Sequence, residues 1–125
     1  MDSTFQRVFN ALIDYLPEDW ERVAIYYATV DGMIDFNYYV DTGSGYVNCF
    51  LRKEYDRDSF DDLTFSLRDI LAKDREALPK KKRWNVFTMY VTSEGKFKVD
   101  YFYDDISKNF MEYHENWEKS FIINK

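Results

Sequence analysis

A chain of 125 residues is the size of one domain and is long enough to bury a core without disulfides or a structural metal. Its 23 acidic against 17 basic residues give a formal net charge of -6, which opposes binding to phosphate backbones and favours encounter with a basic partner. The lone cysteine, Cys49, and the lone histidine, His114, exclude an internal disulfide and the Cys/His zinc centres.

Near the N-terminus, Phe5, Val8, Phe9, Leu12, Ile13 and Leu16 recur at helical spacing behind Ser3, which forms a candidate capping box with Gln6. This helix is expected to run to about Tyr15 and to stop before Pro17. Val23 to Val30 and Met33 to Val40 are β-rich runs around Asp31-Gly32, a pair suited to the positive φ angles of a tight hairpin turn. Thr42-Gly43-Ser44-Gly45 then turns the chain into a third strand, Tyr46 to Leu51. Asp58 or Ser59 can cap a second helix with the apolar stripe Phe60, Leu63, Leu67, Ile70 and Leu71, ending near Pro79. Past the basic turn Lys80-Lys81-Lys82-Arg83, the run Trp84 to Thr92 pairs with Lys96 to Tyr103 through Ser93-Glu94-Gly95. Ile106, Phe110, Tyr113, Trp117 and Phe121 recur at helical steps and favour a last helix.

Strands gathered in blocks between helices, joined by short hairpin links, imply an α+β fold. The expectation is a single domain over 1–125: a largely antiparallel sheet of about five strands, helices packed on one face, in the order α-β-β-β-α-β-β-α. No run of about 18 apolar residues occurs, and Met1-Asp2-Ser3-Thr4-Phe5 lacks the basic-then-apolar order of a signal peptide. The reading is therefore cytoplasmic, with no membrane partner.

The stretch Gly95 to Asp105 carries the most information. Phe97, Val99, Tyr101 and Tyr103 share one face of the strand, Lys96, Lys98, Asp100 and Phe102 the other, and the strand ends on the pair Asp104-Asp105. Asp100, Asp104 and Asp105 could hold Mg²⁺ in a small carboxylate-dependent hydrolase, yet acidic groups at a strand end more commonly cap the next helix. Asp56, Asp58, Asp61 and Asp62 lack the twelve-residue order of a calcium loop, and Gly43-Ser44-Gly45 lacks the Lys and Ser/Thr of a phosphate loop. His114 has no local nucleophile and reads as a structural histidine, and Cys49 as strand packing. No metal set and no cofactor are assigned. With 11 Tyr, 11 Phe and 3 Trp, most aromatics complete the sheet, while those left exposed beside acids suit protein recognition.

Two segments, Leu16-Pro17-Glu18-Asp19-Trp20-Glu21-Arg22-Val23 and Gly95 through Ile106 followed by Trp117, resemble the YezG/EsaG-like family of bacterial immunity proteins. The resemblance implies an antitoxin that binds a secreted polymorphic toxin, often one with a nuclease domain, in the cytoplasm, and no enzymatic turnover. Such a protein would occupy or distort a toxin surface, with carboxylates meeting Lys or Arg and rings filling central pockets. The residues expected to carry that contact are Asp100, Tyr101, Tyr103, Asp104 and Asp105, with Glu112 and Glu115 on the last helix as secondary choices. The competing readings are the metal hydrolase and an adaptor unrelated to toxins; nucleic acid is not an expected partner.

Overall fold

The computed structural model describes residues 3–123; Met1, Asp2 and the last two residues of the expected 1–125 domain lie outside the described residues. Helix α1 spans Thr4–Leu12 and finishes in a 3-10 turn, Ile13–Tyr15, ahead of Pro17. Ser3 caps it, its Oγ accepting from the Gln6 N–H at 3.3 Å. The reciprocal half of the capping box is replaced, because the Gln6 side chain instead donates to Asn10 Oδ1 at 2.9 Å. Strands β1 (Arg22–Val30) and β2 (Met33–Asp41) follow, closed by Asp31 and Gly32 with φ of 50 and 84°. Two consecutive positive φ values match the right-handed twist of the flanking strands, and Val30 pairs with Met33 directly.

Strand β3 is shorter than its sequence suggests, Tyr46–Asn48, and gives way to a 3-10 turn at Cys49–Leu51. The Asn48 side chain accepts from the Phe50 N–H at 2.9 Å, so a local polar bond ends the strand despite the apolar residues beyond it. Helix α2, Arg57–Glu76, is capped by Asp56, whose Oδ2 accepts from the Ser59 N–H at 3.0 Å. The cap thus lies earlier than the expected Asp58 or Ser59, and Asp58 falls in the acid-favouring first turn. Arg83, from the basic turn, closes the other end by donating to the carbonyls of Leu78 at 3.0 Å and Glu76 at 3.1 Å.

Strands β4 (Val86–Thr92) and β5 (Phe97–Phe102) form the second hairpin, and helix α3 spans Phe110–Glu118 before a π-turn at Lys119–Ile123. The five strands lie in the order β3-β2-β1-β4-β5, every pairing antiparallel. The fold is α+β, with the element order expected. β1 is central, and β5 is an edge strand, paired only with β4.

Side chains of opposite parity build two cores. On one face Val23, Ile25, Tyr27, Val40, Phe87 and Met89 meet Val8 and Leu12 of α1 and Leu63, Leu67 and Leu71 of α2. On the other, Ala24, Tyr26, Ala28, Tyr39 and Val86 meet Ile106, Trp117 and Ile122. The expectation of helices on one face holds for α1 and α2 and is corrected for α3, which covers the second face. The reason is that Val23 to Ala28 are all buried, so β1 needs an apolar layer on both sides.

Among the described residues two buried hydroxyls, those of Tyr26 and of Thr88 opposite it on β4, have no hydrogen-bond partner. Tyr26→Phe keeps the ring and removes the orphan, so urea unfolding is expected to show a gain of about 1 kcal/mol. A loss of that size would mean that the hydroxyl is satisfied.

Candidate functional site

The end of β5 and the turn into α3 present the candidate contact residues, but on two faces. Asp100 points to the α3 side, where its Oδ2 lies 3.4 Å from Lys98 Nζ on the same strand. Tyr101 points to the α1/α2 side and packs on Trp84 and Phe87, ring centroids 5.7 and 5.5 Å away. It is still 39% exposed, and Tyr103, past the strand end, is 59% exposed. Neither ring is wholly core. Burial, then Asp74 and Tyr103, pushes the Tyr101 phenol above its ordinary value. Phe97, also exposed, stacks on Phe5 of α1 at 4.0 Å, so β5 ends the first core with a partly open aromatic row.

The two terminal aspartates have distinct jobs. Asp104 Oδ2 accepts from the Tyr113 hydroxyl at 2.7 Å, tying the strand end to α3, and its carbonyl accepts from Asn85 Nδ2 at 2.8 Å. Burial first, then that bond and the Asp104 charge, raises the Tyr113 phenol. Asp105 Oδ1 accepts from the Ser107 hydroxyl at 2.7 Å and its N–H at 3.0 Å, bonds that hold its carboxyl below the ordinary range. Asp105 therefore caps the turn before α3 and not the helix itself, which starts behind Asn109. Glu112 and Glu115 are exposed on α3, Glu112 in its first turn. Among the described residues no group of three His, Cys, Asp or Glu side chains converges as a metal site.

A family model described as "Immunity protein YezG-like" matches residues 1–122 of the chain. The chain belongs to the YezG-like immunity protein family. A curated relative, Immunity protein YezG of Bacillus spizizenii, is 26% identical over 115 residues, which covers 85% of this chain and 70% of that protein. The function of this YezG-like chain is accordingly one of immunity, and it calls for a toxin as partner. Among the described residues no helix is long and apolar enough to cross a membrane.

In this YezG-like protein a polar cluster joins β2 to α3 that sequence reasoning did not assemble. His114, on α3, places Nδ1 2.6 Å from Asp35 Oδ2 of β2 and Nε2 2.9 Å from the Tyr39 hydroxyl. The Tyr39 hydroxyl donates in turn to Glu118 Oε2 at 2.5 Å. Through Tyr39 and His114 the chain of contacts runs from Asp35 on β2 to Glu118 on α3. The His114 ring stacks on Tyr26 at 4.0 Å. Burial first, then the Glu118 bond and the charges of Glu118 and Asp35, raises the Tyr39 phenol.

This chain has the Asp–His pair of a hydrolase relay, and among the described residues the other ring nitrogen of His114 meets the buried Tyr39 phenol, not a serine or cysteine. Cys49 lies in the opposite core, where burial pushes its thiol up to about 11. The cluster clamps α3 to β2, and so positions Glu112 and Glu115, which ride on the same helix.

Proposed function

We propose that this immunity protein is an antitoxin, which binds a cognate polymorphic toxin carrying a nuclease domain and neutralises it by stoichiometric contact in the cytoplasm, without turnover. The observation that carries the reading is the open edge at β5, where Tyr101 and Tyr103 stand exposed next to Asp100, Asp104 and Asp105. Exposed rings of this kind give large contact areas with few rotamers to freeze. Nuclease surfaces that grip phosphate backbones are basic, so a net charge of -6 favours encounter and the carboxylates set the orientation. Glu112 and Glu115 extend the same acidic character along α3. Occlusion of the toxin surface needs only complementarity, and no group in the chain has to exchange protons or bonds with the toxin.

The test is the association rate between this chain and its toxin domain, measured by stopped flow across a salt series. Asp100→Asn/Asp104→Asn/Asp105→Asn keeps the acceptor oxygens used by Tyr113 and Ser107 and removes the charges. It is expected to lower the low-salt association rate by about tenfold and to flatten its salt dependence, with far-UV circular dichroism unchanged. An unchanged rate would remove the β5 edge as the contact surface.

A further inference from the structure

A second recess lies at the far side of the molecule from the α3 clamp, on the α1/α2 face. The connection after α1, strand β2 and the segment that enters α2 enclose a cavity of about 360 Å³ whose walls include Asp14, Tyr15, Tyr38, Glu54, Tyr55 and Asp56. No wall residue is cationic. Its size is at the low end for ligand sites, suited to one side chain and too small for a nucleotide cofactor.

Beside the acidic character of the walls, the state of Tyr38 points to an occupant. Tyr38 is 7% exposed and lines the cavity, yet its hydroxyl makes no hydrogen bond among the described residues. Tyr15 and Glu54 line the same recess as Tyr38. Unlike the enclosed hydroxyls of Tyr26 and Thr88, that of Tyr38 reaches solvent, and an N–H donor entering the recess can use it as an acceptor. Asp14, at the mouth, makes no hydrogen bond or ion pair among the described residues. Glu54 gives Oε1 to Arg52 Nε at 2.7 Å and Asp56 gives Oδ2 to the Ser59 N–H, so these two are partly spent and Asp14 is the open carboxylate.

We infer that this cavity receives an arginine side chain presented by the protein partner, with the guanidinium flat against the tyrosine rings, one N–H on the Tyr38 hydroxyl and another on Asp14. The carboxylates only accept and the phenol oxygens can accept as well, which favours an occupant that donates from several positions at once. Rings on the wall, with Phe60 among them 5.8 Å from Tyr55 and 6.4 Å from Tyr38, favour a planar cation. Guanidinium stacks on aromatic faces and sheds water more readily than an ammonium, so arginine fits better than lysine. The inference rests on the reading that the chain binds a protein, and Leu16 and Pro17, from the segment before Trp20, complete the wall.

The test uses the full chain with no toxin present, so that its outcome is separate from that of toxin binding. Tyrosine ring signals are followed by NMR during titration with N-acetyl-arginine N-methylamide, its lysine and citrulline counterparts, and free arginine. Saturable shifts at Tyr15, Tyr38 and Tyr55 are expected with the blocked arginine, weaker ones with lysine, and none with citrulline. Asp14→Asn/Glu54→Gln is expected to weaken the blocked arginine by about tenfold. Absence of saturable shifts, equal shifts with citrulline, or binding by free arginine alone would each overturn the inference. The citrulline arm uses the unaltered chain and so decides even if the variant fails to fold.

Discussion

Trp117→Ala is expected to lower the free energy of unfolding by about 3–5 kcal/mol, the range for an aromatic deleted from a packed core. Trp117 is 4% exposed, its ring lies 4.9 Å from Tyr26 and 5.7 Å from Tyr39, and its Nε1–H donates to the Tyr90 hydroxyl at 3.0 Å. It packs between α3 and the sheet, so truncation leaves a cavity between the two layers. Trp117→Phe keeps most of the ring contact and loses the N–H donor, and its cost is expected to be about half as large. Urea unfolding of the three proteins checks both values. A loss under about 1 kcal/mol for the alanine variant would mean that α3 is not a packed layer.

Asp41→Ala is expected to cost about 2–4 kcal/mol, and its loss changes with pH. The Asp41 side chain is 8% exposed and accepts four hydrogen bonds: Arg22 Nε at 2.8 Å and Nη2 at 2.5 Å, and the N–H groups of Gly43 at 2.7 Å and Gly45 at 3.1 Å. It thereby stitches the end of β2, the Gly43 turn and the start of β1. Burial alone would push the carboxyl up, but the bonds from Gly43, Arg22 and Gly45 outweigh it and hold the carboxyl below its usual value. The unfolded chain returns it to about 3.9. A folded value below the unfolded one means that the contribution is complete above the unfolded pKa and is lost as pH falls through the folded pKa. Stability measured from pH 6 downward is therefore expected to fall less steeply in Asp41→Asn than in the parent, while the variant is the weaker of the two at neutral pH. Parallel pH profiles would show that Asp41 is not held in its charged form.

What the sequence made legible is what local chemistry decides. Asp31-Gly32 announces its hairpin because two consecutive positive φ values suit few residue pairs, and the turn sits where expected. The stripe of Leu63, Leu67 and Leu71 likewise faces the core, since helical spacing leaves it one face to bury. Period two also separates Asp100 from Tyr101 across β5, as observed.

Long-range partners account for what was missed. The run Val23-Ala24-Ile25-Tyr26-Tyr27-Ala28 is continuously apolar, the mark of a strand covered on both sides, and with it a place for α3 opposite α1 and α2. Asp35, Asn37, Tyr39 and Asp41 alternate as polar positions on β2, which by itself suggests a wet face; α3 covers it and supplies His114 and Glu118 as partners. Nothing within a short window links Asp35 to His114. The Tyr38 cavity draws its walls from three separated segments, and only the fold brings Asp14 near Tyr38 and Glu54.

As the obstructing partner proposed above, the molecule holds its acidic and aromatic surfaces in place on a sheet covered on both faces. Titration of a fixed amount of the proposed cognate nuclease toxin, with its cleavage rate as the readout, tests that proposal most directly. Activity falling in a straight line to zero at molar equivalence is the expected result. Full activity at a several-fold excess of this chain would contradict it.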